Sequence, residues 1–143
     1  MKLVITFMLL VLAFSFCRQK PPLHEMPFSP YSKQALQEAV ARHQPVVIDF
    51  WAEWCPNCHD LDRLVFSRPE IQAELAQVKF LRMDVTNQDD PNIQAIIQQY
   101  GLEGVPTVIF LDSRGKEVQD ARLIGLVTPR EFSEAFSMLK VLK

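Results

Sequence analysis

The sequence predicts one α/β domain, a central mixed β-sheet with helices on both faces. Three observations predict it. Apolar runs of strand length alternate with segments of helical period. The run Val46-Val47-Ile48-Asp49-Phe50-Trp51 is short and nearly continuous in apolar residues, as suits a central strand covered on both faces. After Thr107-Val108-Ile109-Phe110-Leu111, the turn composition Asp112-Ser113-Arg114-Gly115 sends the next segment back antiparallel.

The elements follow in order. Ser32 to Arg42 puts Leu36, Ala39 and Val40 on one helical face, and Pro45 ends it. The strand 46–51 comes next. Pro56 suits the first turn of a helix, from which Leu61, Leu64 and Val65 recur at helical spacing. Ser67 is expected to cap a further helix through Leu75, with Pro69 in its first turn and Glu70 at the capping-box position. Val78 to Val85 is a strand, and Thr86 to Pro91 a polar loop. Asn92 to Tyr100 is a helix with Ile93, Ile96 and Ile97 inward, ended by Gly101. Glu117 to Ile124 returns as the partner of 107–111. Thr128 caps the last helix, with Pro129 first, Glu131 three residues on, and Phe132, Phe136 and Leu139 buried.

Composition removes several function classes. One domain is expected from 143 residues. A net charge of −2 argues against a nucleic-acid partner. The four glycines include no Gly-x-Gly pair, so no glycine-rich phosphate cradle is present. Three well-separated histidines would need long-range convergence to hold zinc. Three cysteines are too few for a disulfide-framework protein.

The N-terminal residues stand outside the fold. Leu3 to Phe16 is a 14-residue stretch in which only Thr6 and Ser15 are polar. That suits a signal-peptide core and is short of the about 20 residues of a spanning helix. Residues 1–17 are therefore expected to direct export, a buried first helix being the dull alternative. Ala13-Phe14-Ser15 offers a cleavage site. Cys17 resembles the lipid-acceptor cysteine of bacterial lipoproteins, and an uncleaved anchor is the third option. Residues 18–30, with Pro21, Pro22, Pro27 and Pro30, read as a Pro-rich tether, leaving 31–143 as the domain.

The chemistry sits at Trp54-Cys55-Pro56-Asn57-Cys58. Residues i and i+3 on a helix share a face, about 5–6 Å apart at Cβ, which permits a disulfide after modest adjustment. Cys55 falls at the helix N-terminus, where free N–H groups and the dipole favour a thiolate. Cys58, one turn in, suits a resolving thiol.

At these residues the chain resembles the thioredoxin family. Val47-Ile48-Asp49-Phe50-Trp51-Ala52-Glu53-Trp54-Cys55-x-x-Cys58 is similar to the family's active-site stretch, and Gly104-Val105-Pro106-Thr107 to the loop carrying its cis-proline. Gly125 falls at the family's glycine before the last helix. Phe66-Ser67-x-Pro69-Glu70, Asp84-Val85-Thr86 and Gly115-Lys116-Glu117 are similar to the periplasmic C-terminal thioredoxin domain of the DsbD thiol:disulfide interchange proteins. The resemblance covers roughly 45–140 and implies a thioredoxin fold, free-standing or tethered. It implies a redox-active Cys55–Cys58 disulfide and no further cofactor. Asp49 becomes a buried acid that moves protons to and from Cys58. Trp54, Val105 and Pro106 become a substrate surface. Pro56-Asn57 differs from both the Gly-Pro of thioredoxin and the DsbD pattern, so the potential stays open within roughly −270 to −120 mV.

Duller roles stand beside these. Asp49 could be a solvated edge residue, and Pro106 a strand-entry proline. Arg82 is expected to be a solvated strand charge, with a place near Asp49, like the family's Lys, as its alternative. Cys55-Pro56-Asn57-Cys58-His59 also matches the haem-attachment pattern, with His59 as axial ligand and Met83 or another residue opposite. Structural zinc would lack a second Cys pair.

The expectation is an exported thiol–disulfide oxidoreductase, a protein-disulfide reductase on the periplasmic side of a bacterial envelope. Its partners would be disulfide-bearing proteins and a transmembrane donor of DsbD type, and it would be a monomer, either free after cleavage or held to the membrane by an N-terminal anchor or lipid. A disulfide oxidase or isomerase is the alternative within this chemistry. A redox-inactive binding or chaperone module using the Val105-Pro106 groove is the alternative outside it.

Overall fold

A computed structural model describes residues 27–141. One five-stranded sheet forms its middle, in the order β1-β3-β2-β4-β5. The strands are β1 (Ser29–Pro30), β2 (Val46–Trp51), β3 (Lys79–Asp84), β4 (Thr107–Leu111) and β5 (Leu123–Ile124). Both neighbours of β3 run parallel to it, while β4 runs antiparallel to β2 and to β5. The sheet is mixed, as the sequence predicts.

The helices are α1 (Lys33–Ala41), α2 (Pro56–Leu61), α3 (Pro69–Leu75), α4 (Pro91–Tyr100) and α5 (Pro129–Val141). Ser32 caps α1 by accepting from Ala35 N at 3.0 Å. Asp90 caps α4, and Gly101 ends it in the left-handed region at φ 56°, where a Cβ is disfavoured. Thr128 N donates to Glu131 Oε2 at 2.7 Å and Glu131 N to Thr128 Oγ1 at 3.3 Å, a capping box at the start of α5.

Alternation along β2 divides the core. Val47 joins Phe66, Phe80, Phe110, Phe132 and Phe136 on one face of the sheet, under α3 and α5. Val46, Ile48 and Phe50 join Ala39, Ile96 and the two cysteines on the other, under α1 and α4. The rings of Phe66 and Phe80 meet at 5.2 Å and those of Phe66 and Phe132 at 5.6 Å, edge to face. Each fully buried aromatic of this kind stabilises the fold by roughly 1.5–3 kcal/mol.

Four expectations are corrected. The Pro-rich stretch 18–30 ends inside the fold: Ser29–Pro30 pairs with Leu81–Arg82, and Tyr31 N donates to Arg82 O at 2.8 Å. The helix from Pro56 widens into a π-helical turn over Asp62–Phe66, closed by Ser67 N to Asp62 O at 2.9 Å. The wider turn lets the consecutive Val65 and Phe66 both face the core and leaves Leu64 exposed. Ser67 closes this turn, its hydroxyl donating to Arg63 O, so α3 starts from Arg68 with no side-chain cap. The return from 117 to 124 is broken: Glu117 makes one bridge with Leu111, Gln119–Ala121 turns as a 3-10 helix, and β5 has two residues.

Candidate active site

Two parallel strands deliver the site's parts to one end of the sheet. β2 ends at Trp51, β3 ends at Asp84, and Val85 N donates to Trp51 O at 2.8 Å. The chain then turns through Ala52-Glu53-Trp54 into α2. Thr86 pins this turn: its Oγ1 accepts from Glu53 N at 2.8 Å and its carbonyl from Trp54 Nε1 at 3.1 Å. Trp54 is tethered at one atom yet 56% exposed.

Cys55 is the N-cap of α2, and Pro56 takes the first helical position, where no N–H is required. A disulfide joins Cys55 to Cys58, with Cα atoms 5.3 Å apart. Cys58 N donates to Cys55 Sγ at 3.1 Å. Both cysteines are buried in this oxidised state. His59 follows with Nε2 2.8 Å from Glu53 O, and its ring meets that of Trp51 at 5.4 Å. The two cysteines and the histidine that a haem attachment would use are thus engaged, the cysteines with each other and His59 with Glu53 O. Among the described residues, no three His, Cys, Asp or Glu side chains gather to hold a metal.

The loop before β4 supplies the neighbouring surface. The Val105–Pro106 peptide bond is cis. Thr107 Oγ1 donates to Gly104 O at 2.7 Å, and Gly125 N to Pro106 O at 2.8 Å, so both sides of the loop are tied down. A depression of about 220 Å³ lies between this loop and the end of β3, lined by Val85, Gln88, Ile97, Leu102, Glu103 and Val105.

Beneath β2 lies an ionic cluster. Asp49 is on the central strand and buried, not an edge residue in water. Arg82 is not a solvated strand charge either. It stands opposite Asp49 in the β2–β3 register and is 10% exposed. Its Nε donates to Asp49 Oδ2 at 2.8 Å, and Nη2 lies 2.7 Å from the same oxygen. Its Nη1 donates to Asp62 Oδ2 at 3.0 Å, and Nη2 to Asp62 Oδ1. Phe28 covers the guanidinium at 4.2 Å, and Trp51 lies 5.5 Å from it. Asp49 Oδ1 and Trp51 Nε1 are buried without a partner.

Burial raises the Asp49 carboxyl to about 7, against the pull of Arg82 and with a push from Asp62. Arg82 is raised by its two carboxylates despite burial. Asp62 and Phe28 were not singled out in the sequence. Asp62 had a signal, four residues after Cys58 on the same helix. Phe28 had none, lying among prolines. Cys17, the segment 1–17 and the tether up to residue 26 lie outside the described residues. No described helix is long and apolar enough to cross a membrane.

Comparison with known proteins places this geometry. A family model described as a thioredoxin-like domain matches residues 32–140. The chain is 35% identical over 92 residues to the thiol:disulfide interchange protein DsbD of Photorhabdus laumondii, covering 64% of this chain and 16% of that protein. It spans about one sixth of the length of the curated relatives it matches. Among solved structures it is similar to the reduced C-terminal domain of Neisseria meningitidis DsbD, at 32% identity and TM-score 0.66 over 74% of this chain and 91% of that one. It is also similar to a thioredoxin from Thermus thermophilus, at 29% identity and TM-score 0.68 over 82% and 89% of the two chains.

Proposed function

We propose a function on one premise: the chain belongs to the thioredoxin-like family. The protein is a thiol–disulfide oxidoreductase that reduces protein disulfides. The observation that carries this is the Cys55–Cys58 disulfide at the start of α2, with exposed Trp54 on one side and the cis Val105–Pro106 loop in the same chain.

In the reduced protein, the Cys55 thiolate attacks one sulfur of a substrate disulfide and expels the other as a thiolate. The N-cap position and the Cys58 N–H favour the anionic sulfur. Cys58 then gives its proton to the Asp49 carboxylate, and its sulfur attacks Cys55 Sγ. The Cys55–Cys58 disulfide forms, the second substrate thiolate leaves, and two electrons have passed to the substrate. A group that titrates near 7 holds both protonation states at neutral pH, as a general base needs. Trp54, Val105 and Pro106 seat the substrate chain beside Cys55, backbone pairing giving affinity without side-chain selection.

The direction of electron flow rests on likeness to DsbD, and a transmembrane donor of that type would reload the disulfide. Export to the periplasmic side rests on the apolar stretch 3–16, with attachment through that segment or a lipid on Cys17. The protein would work as a monomer. The test is turnover of insulin or a mixed-disulfide substrate, with a redox titration of the Cys55–Cys58 pair. Turnover with a strongly reducing potential supports the reductase. A potential near the oxidising end of the family's range makes it an oxidase or isomerase, and no turnover leaves a binding module.

A further inference from the structure

We infer that Phe28 is a positioning residue of the redox site: its ring closes the face of the Arg82 guanidinium and so keeps water from the Asp49–Arg82–Asp62 cluster. This rests on the proton-acceptor role proposed for Asp49. The geometry leaves Phe28 little else to do for Arg82. A guanidinium hydrogen-bonds through its edges, and here those edges hold Asp49 and Asp62. Its two flat faces cannot be hydrogen-bonded and must meet either water or apolar groups. Phe28 covers the guanidinium from 4.2 Å, while Trp51, at 5.5 Å, stands further off.

Phe28 is held in place for this task. The residues that follow it are fixed to β3 by the Ser29–Leu81 and Pro30–Arg82 register and by Tyr31 N to Arg82 O at 2.8 Å. Lys79 Nζ donates to Ser29 Oγ at 2.9 Å, and the Phe28 ring meets Phe80 edge-on at 6.2 Å. The strand that carries Arg82 therefore also carries its cover.

The charged groups that act on Asp49 are Arg82 on β3 and, across the same guanidinium, Asp62 on the π-helical turn. His59 lies across Trp51, and Lys79 is engaged with Ser29. Burial is the largest influence on Asp49, ahead of Arg82. Opening the cluster to water therefore weakens the desolvation that raises the carboxyl more than it weakens the attraction that lowers it. The Asp49 titration should move toward acid.

The experiment follows the side-chain carboxyl carbon of Asp49 by NMR across pH 4–9 in the oxidised full-length chain. Phe28→Ala is expected to lower the midpoint by about one pH unit, Phe28→Leu by less, and Phe28→Tyr to keep it. Phe132→Leu is the control: it thins the same core through its ring contacts with Phe66, Phe110 and Phe136 and leaves the Phe28–Phe80 contact in place, so stability falls and the midpoint stays. An unchanged midpoint in Phe28→Ala, or in Phe28→Leu if the alanine variant does not fold, overturns the assignment. So does an equal shift in Phe132→Leu. The rate of mixed-disulfide resolution separates the two proposals. If Asp49→Asn leaves that rate unchanged while Phe28→Ala moves the midpoint, the proton-acceptor role fails and the cover stands. If Asp49→Asn slows it while the Phe28 variants leave the midpoint in place, the cover fails alone.

Discussion

Arg82 and Asp49 face each other across the parallel β2–β3 pair, joined by Nε to Oδ2 at 2.8 Å. The same guanidinium also holds Asp62. One cation thus serves two carboxylates in a site nearly closed to water. Full ionisation leaves an uncompensated negative charge, and Asp49, the more buried of the two acids, carries the burden in its titration.

Removing the shared cation should be costly. In Arg82→Gln the two acids keep their places without a counter-charge. Breaking a buried pair in this way typically destabilises by about 3–5 kcal/mol. The loss should be larger at pH 8 than at pH 5, where Asp49 can take up a proton. Denaturant melts at the two pH values check this, and equal losses would contradict it.

Asp49→Asn should slow mixed-disulfide resolution by roughly 10²–10⁴-fold, the usual worth of a general base. Its effect on stability has the opposite sign. The wild-type carboxyl holds its proton more tightly folded, at about 7, than unfolded, at 3.8. The folded state is thus favoured below pH 4, and that advantage is lost as pH rises to 7, by about 1.4 kcal/mol for each pH unit crossed. The asparagine variant should lack this slope and be the more stable protein at pH 8. Stopped-flow resolution rates and melts from pH 4 to 8 read both effects.

The cysteines should separate by role. Cys58→Ser should accumulate a mixed disulfide through Cys55, since attack survives and release does not. Cys55→Ser should trap little. Non-reducing gels after exposure to an oxidised protein substrate decide the order, and the reverse pattern would exchange the two roles.

Trp54 is exposed and held by one hydrogen bond to Thr86 O at 3.1 Å. Trp54→Ala should change stability by about 1 kcal/mol or less. It should slow attack on a protein disulfide while sparing a small disulfide, whose approach needs no surface. Equal slowing of both substrates would mean that Trp54 tunes Cys55 instead of seating the partner.

Cys17→Ser tests attachment at a residue outside the described structure. Loss of a lipid there should release the protein from the membrane fraction while leaving it exported. Unchanged fractionation would point to the segment 1–17 itself, or to a membrane partner.

Much of the fold was legible because its determinants are local. The β2 run, the Asp112–Gly115 turn and the Thr128–Glu131 capping box each declare themselves within a few residues. The cysteine pair was legible for the same reason. The Asp49–Arg82–Asp62 cluster was less so, because its members meet through register. Arg82 faces Asp49 only through the β2–β3 pairing, and Asp62 reaches it from the π-helical turn that follows α2. A sequence period of 3.6 does not announce that extra width. Phe28 sits in a proline-rich stretch without any period, so its place above Arg82 is visible only in three dimensions.

The sheet's borders are two residues long on either side, Ser29–Pro30 and Leu123–Ile124. Long exposed borders are templates on which other chains can add themselves. Here one border is half proline, which has no N–H to offer, and the other ends at Gly125, whose N–H already donates to Pro106 O at 2.8 Å. Neither border of the described sheet is thereby a ready template for strand addition by another chain.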